Sequence, residues 1–180
     1  MKALKDRAEE LEICLYRGTV DEDILIAEWW DSLGDELPKL VTESAYSLSS
    51  FYSLFKSPNM MSYTVRDRKM ESVHWAEPVS TSPHAIFFSS WSSKALRGTK
   101  RHAILMATIY EILFSMDQKT ILGITKQQEL LELHSKLGYE IMGPVPHLFD
   151  GDEAWVMYLT KESFEASRVY AVANKIISKE

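Results

Sequence analysis

The residues between positions 94 and 103, KALRGTKRHA, concentrate the chemistry most visible in this sequence. Lys94, Arg97, Lys100 and Arg101 crowd together with His102 beside them, between an apolar run ending at Trp91 and a helical pattern beginning at Lys100. A loop that opens a helix binds anions, because free amide donors and the positive helix end converge there. Cationic side chains in a first helical turn oppose the helix dipole, at about 0.3–1 kcal/mol each at exposed sites. Either this loop meets an anion or an acidic partner surface, or its side chains bend away into water. A second candidate is His134, in the segment LHSKLGY spanning positions 133–139. Histidine exchanges protons near neutral pH. On an apolar helix face a lone histidine is more often a hydrogen-bonded packing residue. The five histidines have none of the spacings of zinc sites, so no metal is expected, and no Ser-His-Asp arrangement or Walker-type loop can be made out.

The elements that must position these residues belong to a chain of 180 residues, long enough for one domain with a sizeable core. The net charge of −6 argues against generic nucleic-acid binding and makes the local basic cluster more informative. Cys14 is the only cysteine, which fits a reducing compartment and a cytoplasmic location, and in an apolar strand it reads as inert core. The first residues lack the apolar stretch of a secretion signal, and no window is apolar for long enough to span a membrane, so no membrane partner is expected.

Alternation of Leu11, Ile13 and Leu15 predicts a strand over 11–16. Thr19 and Glu22 form a capping-box pattern for a helix ending at Gly34; one of Trp29 and Trp30 would reach a second surface unless, as is commoner, both are partly buried packing residues. A helix over 44–56 and a turn at 57–59 follow. Strands are expected over 61–65 and 70–77 around a hairpin tip at 66–69, with Pro78 ending the second, and another strand over 85–91. Leu105, Ile109, Ile112, Leu113 and Met116 then mark a helix lying on a sheet. A buried strand over 120–124, a helix over 127–137 stopped by Gly138, strands over 139–145 and 154–159, and a last helix over 161–178 complete the pattern. Three successive strands without an intervening helix argue against a Rossmann-type alternation.

This order, with a basic loop before the long helix, resembles the GCN5-related N-acetyltransferase fold. The likeness is sharpest between Phe87 and Leu159 and extends back to ICLYRGTVDED at 13–23, which is similar to that family's first strand and helix opening. Arg97-Gly98-Thr99 falls where the family's acyl-CoA loop begins, and LHSKLGY resembles its late helix-and-strand signature. The resemblance implies an α/β fold with a central mixed, mostly antiparallel sheet flanked by helices. Residues 1–160 would form the domain, and 161–180 a C-terminal helical extension.

It also implies transfer of an acyl group from acetyl-CoA to an amine of a small molecule or protein by direct attack. Arg97, Gly98, Thr99, Lys100, Arg101, His102 and Ala103 would hold the pyrophosphate, while strands splaying at Ser89–Trp91 and Ile124–Thr125 would take the pantetheine arm. Trp30, Tyr63 and Thr125 would line the acceptor. His134 occupies the position of the family's proton-donating tyrosine. Glu77 is the base candidate, with Glu71, His74 and His84 on the same strands. Aligned from Arg97, Lys100 and His102 stand where the family has small residues that let amides reach the cofactor. A loop of this glycine-poor, basic kind is similar to that of the acetyltransferase-like internal virion proteins of short-tailed bacteriophages. That second likeness implies a catalytically inactive, virion-associated assembly component with protein partners.

Overall fold

The computed structural model describes residues 4–34, 47–49, 51, 60–149 and 152–178. Most of the expected helix at 44–56, and the turn at 57–59, lie outside the described residues.

A helix, α1 (Leu4–Glu10), leads into β1 (Cys14–Leu15), far shorter than the alternation suggests. The amides of Leu11, Glu12 and Ile13 bond back to Arg7, Glu9 and Ala8, and Glu12 takes a left-handed φ of 56°, so the segment spends its first residues closing the helix. Then come α2 (Val20–Leu33), β2 (Met60–Arg66), β3 (Lys69–Val79) and β4 (Ser82–Ser92). The hairpin tip narrows to Asp67-Arg68, both at positive φ, as a tight two-residue turn requires. Pro78 does not end β3: it is exposed, and the register slips beside it, where a missing N–H costs nothing. After α3 (Lys100–Ser115) and β5 (Thr120–Thr125) come a single 3-10 turn, α4 (Leu131–Leu137), β6 (Glu140–Phe149) and β7 (Asp152–Thr160). The expected final helix is two, α5 (Lys161–Glu165) and α6 (Arg168–Ile177), because Ser167 starts the second by accepting from the Tyr170 amide.

The strands form one sheet in the order β1-β2-β3-β4-β5-β7-β6. Every adjacent pair is antiparallel except β4 with β5, joined through α3. Strand alternation sends Val73 and Trp75 to one face, against Ile26, Trp29, Trp30 and Leu33 of α2. Ala76, Ile86, Phe88, Ile121 and Met157 go to the other, against Leu105, Ile109, Tyr110 and Leu113 of α3. Phe164 and Ala173, both fully buried, bring α5 and α6 into that second core. The C-terminal helices therefore cover their own domain. Trp29 and Trp30 are both buried in one cluster, because Phe51 packs 5.5 Å from the first ring and 5.0 Å from the second. Cys14, expected in the core, is exposed at the sheet edge. No helix among the described residues is long and apolar enough to cross a membrane.

Candidate cofactor and acceptor site

β4 and β5 pair only at Ala85↔Thr120, Ile86↔Ile121 and Phe87↔Leu122. Beyond that point β4 stays on β3 as far as Ser72↔Ser92, and β5 stays on β7 as far as Thr125↔Trp155. Two strands held by opposite neighbours and no longer by each other open a wedge lined by backbone, and buried backbone groups require partners. Ser89 and Trp91 lie on the β4 side, and Thr125 ends the β5 side. Trp91 packs 5.7 Å from Trp29, so this wall is continuous with the α2 cluster. Trp30 and Tyr63 sit inside that cluster: Trp30 is buried, and the Tyr63 hydroxyl donates to Glu22 at 2.9 Å.

At the wide end of the wedge the chain turns from β4 into α3. The Ser93 carbonyl accepts from the Leu96 and Arg97 amides at 3.0 and 3.1 Å, and Gly98 takes a φ of 75°. A side chain at Gly98 would meet nothing within 4 Å, so glycine serves the backbone conformation here, and the space beside it is open. Thr99 caps α3: its Oγ1 accepts from the His102 amide at 3.1 Å and donates to the Leu96 carbonyl at 2.7 Å. This occupies the third amide of the helix, while Lys100 and Arg101 hold the first two positions.

The basic residues divide by what they touch. Arg101 points inward, donating to Glu71 at 3.2 Å and to the Leu11 carbonyl at 3.0 Å. Arg97 is exposed with Nε donating to the Ser92 carbonyl at 2.7 Å. Lys94 and Lys100 are exposed. His102 does not fill the loop: Nε2 lies 3.1 Å from Ser92 Oγ, and burial first, then the Arg97 charge, depresses its pKa against the pull of Glu71. Ala103 is half-buried and bonds its amide to the Thr99 carbonyl.

Of the candidate bases, Glu71 is committed to Arg66 and Arg101, and His74 is buried on the α3 side. His84 is at the far end of β4, paired with Asp117 at 3.2 Å. Glu77 is half-buried and lies opposite Phe87, the last β4 residue bonded to β5. His134 lies on α4 with Nδ1 donating to the Leu130 carbonyl at 2.7 Å and its ring edge-on to Tyr139. Burial lowers its pKa. A neutral ring with its one N–H committed to Leu130 presents a lone pair at Nε2.

Two features of this region escape the sequence reading. A Cβ on Gly123 would lie 3.3 Å from the Tyr139 ring and 3.1 Å from Met157, so the β5 wall is glycine because an aromatic side chain lies directly on it. A glycine inside the apolar run TILGIT was the available signal. Tyr110 and Tyr139 are the other feature: their hydroxyls meet at 3.2 Å in the core, and desolvation raises both pKa values.

No family sequence model and no curated sequence matches the chain. Solved structures do. The spermidine N-acetyltransferase from Vibrio cholerae, in complex with CoA and spermine, superposes with a TM-score of 0.66 at 10% identity, over 84% of this chain and 97% of that one. The chain has the GCN5-related N-acetyltransferase fold. RimJ from Mycobacterium smegmatis, in complex with CoA-disulfide, gives a TM-score of 0.66 at 11% identity over 91% of this chain and 88% of that one. A ribosomal-protein-alanine N-acetyltransferase from Brucella melitensis gives 0.60 at 14% identity over 82% and 99%. At such identities the acetyltransferase fold is what the likeness carries, and the assignment of individual residues rests on the geometry above.

Proposed function

We propose that the protein is an acyl-CoA-dependent N-acyltransferase whose cofactor enters between β4 and β5. The observation that carries this reading is the ladder that stops at Phe87↔Leu122 while both strands run on to Ser92 and Thr125. The residues present fit the group. Open space surrounds Gly98, the first turn of α3 has no acidic residue, and Lys100 is exposed beside its leading amides. Those amides, Arg97 and Lys100 would hold the diphosphate, with Thr99 and Gly98 fixing the loop and His102 and Ala103 seating it against β4. Arg101 supports the loop from within. Ser89, Trp91 and Thr125 flank the arm that follows.

When bound, the cofactor supplies a thioester carbonyl, which an amine attacks with loss of the thiolate. The protein supplies orientation and amide donors at the developing oxyanion. Glu77 or the lone pair of His134 takes the amine proton, and the thiolate receives its proton from solvent. Amine acceptors, small or on a protein, approach from the side walled by Trp91 and Trp29, in front of Trp30 and Tyr63.

The test is calorimetric and thermal titration of the purified chain with acetyl-CoA and desulfo-CoA. The enzymatic reading expects micromolar binding and stabilisation of about 2.7 kcal/mol at a hundredfold excess over Kd. The competing reading is an inactive assembly protein of the phage virion type. It is favoured by one observation, that Arg101 is spent on Glu71 and the loop lacks a second glycine. Absence of any shift at millimolar cofactor would overturn the enzymatic reading and favour the inert one.

A further inference from the structure

Regular alternation along β3 would turn residue 71 toward α2. Val73 and Trp75 pack in the α2 cluster, and position 71 shares their parity. A bulge changes this. Thr64 pairs with Ser72 and Val65 with Met70, which leaves Glu71 as the extra residue. Met70 joins the α2 cluster instead, and the Glu71 side chain goes to the opposite face, where it meets Arg101 of α3. There Glu71 is 6% exposed. A carboxylate so deeply placed is costly unless it is paired and hydrogen-bonded.

It is both. Oε2 accepts from Arg101 Nε at 3.2 Å and from Thr64 Oγ1 at 3.4 Å, and Oε1 lies 3.3 Å from Arg66 Nε. The backbone of the same residue makes a second attachment: the Glu71 carbonyl accepts from the Ser93 amide at 2.8 Å. Ser93 is the first residue after β4, and Arg101 is the second residue of α3. Between them runs the loop proposed to hold the diphosphate. Glu71 therefore grips both ends of that loop, the entrance through its main chain and the exit through its side chain. Arg101 extends the connection to the Leu11 carbonyl at 3.0 Å. Inside the loop the backbone bonds are local, from the Leu96 and Arg97 amides to Ser93 and from the Thr99 amide to Leu96. Such bonds set the curvature of the loop, and the attachments to Glu71 set where that curve sits against the sheet.

We propose that Glu71 is a positioning residue for the loop from Ser93 to Arg101, and that, on the acyl-CoA reading given above, it thereby sets the affinity for the cofactor's diphosphate. Charge and position act in opposite directions here. An acid beneath an anion site repels a diphosphate, so by charge alone removal of Glu71 would tighten the cofactor. Positioning has the reverse sign, because a loop that shifts misaligns several donors at once.

The test uses two variants of the full chain. Glu71→Gln keeps an acceptor for Arg101 and removes the charge, whereas Glu71→Ala keeps only the carbonyl bond to Ser93. By calorimetry the acetyl-CoA Kd should rise roughly threefold for Glu71→Gln and roughly tenfold for Glu71→Ala. The KM for acetyl-CoA should rise in step while kcat stays unchanged. Amide exchange in the unliganded Glu71→Ala chain should quicken at Leu96, Arg97 and Thr99 and keep its wild-type rates along the β5–β7 ladder. A residue that merely stabilises the fold would quicken both regions alike. Where Glu71→Ala fails to fold, Glu71→Gln alone decides, by the same two readouts. Tighter acetyl-CoA binding by Glu71→Gln, an unchanged Kd in Glu71→Ala, or uniform quickening of exchange overturns the proposal. A wild-type chain that binds no acetyl-CoA overturns the acyltransferase reading, and the exchange pattern then decides whether Glu71 fixes the loop.

Discussion

The helices α2 and α3 both begin with a threonine cap, and they treat their positive ends in opposite ways. At α2 the first turn holds Asp21, Glu22 and Asp23, and Thr19 and Glu22 form a reciprocal capping box. The Glu22 carboxylate accepts from the amides of Arg17 and Thr19, the Thr19 hydroxyl and the Tyr63 hydroxyl. That helix end carries its own anion. At α3 the first turn has no acid, Thr99 caps alone, and Lys100, Arg101 and His102 follow. The first turn of α3 supplies no such anion, which is the arrangement the proposed cofactor site calls for.

The comparison breaks most forcefully at Glu22. Glu22→Ala leaves the Tyr63 hydroxyl and several amides without their acceptor in a largely buried place, and should cost about 3 kcal/mol in urea unfolding. A loss under about 1 kcal/mol would show that the carboxylate is not the anion of that helix. Desolvation alone would raise the Glu22 pKa, but hydrogen bonds from Thr19, Tyr63 and Arg17 together hold it below its ordinary value. Its stabilisation is therefore present above the unfolded-state pKa and lost as pH falls through the lower folded-state pKa. Glu22→Gln should flatten this acid limb.

Smaller in free energy is reversal of charge at α3. Lys100→Glu places an acid in the first turn, as at α2, and should weaken acetyl-CoA about tenfold by calorimetry while raising the stability of the unliganded chain by roughly 0.6–2 kcal/mol. Equal affinity would mean that Lys100 bends away from the ligand.

The finest distinction comes from the two caps. Thr19→Ala and Thr99→Ala should each cost about 1 kcal/mol of stability, and only the second should also weaken CoA. If both variants bind CoA alike, the α3 end does not hold the cofactor.

The capping box at Thr19 and Glu22 was legible because a cap is local: its donors and acceptors lie within one turn. For the same reason Gly138 could be read as the stop of α4, although the backbone of Ser163 that forbids any side chain there lies beyond local view. The splay of the strands was expected only through the family likeness. Misreadings arose where neighbours distant in sequence decide the outcome. For Trp29 and Trp30 the sequence left two outcomes, packing together or facing two surfaces, and Phe51 gathers both into one core. Arg101 looked like part of an anion-binding cluster, and a bulge in β3 brings Glu71 beneath it.

Composition and period determined which segments are helix and which are strand, and where the positive charge collects, since these depend on residues one turn or one pleat apart. Tertiary structure decided which of those charges face outward and that β4 and β5 separate. Each of these depends on a partner more than a few residues away or brought there by a bulge, and no local pattern encodes it.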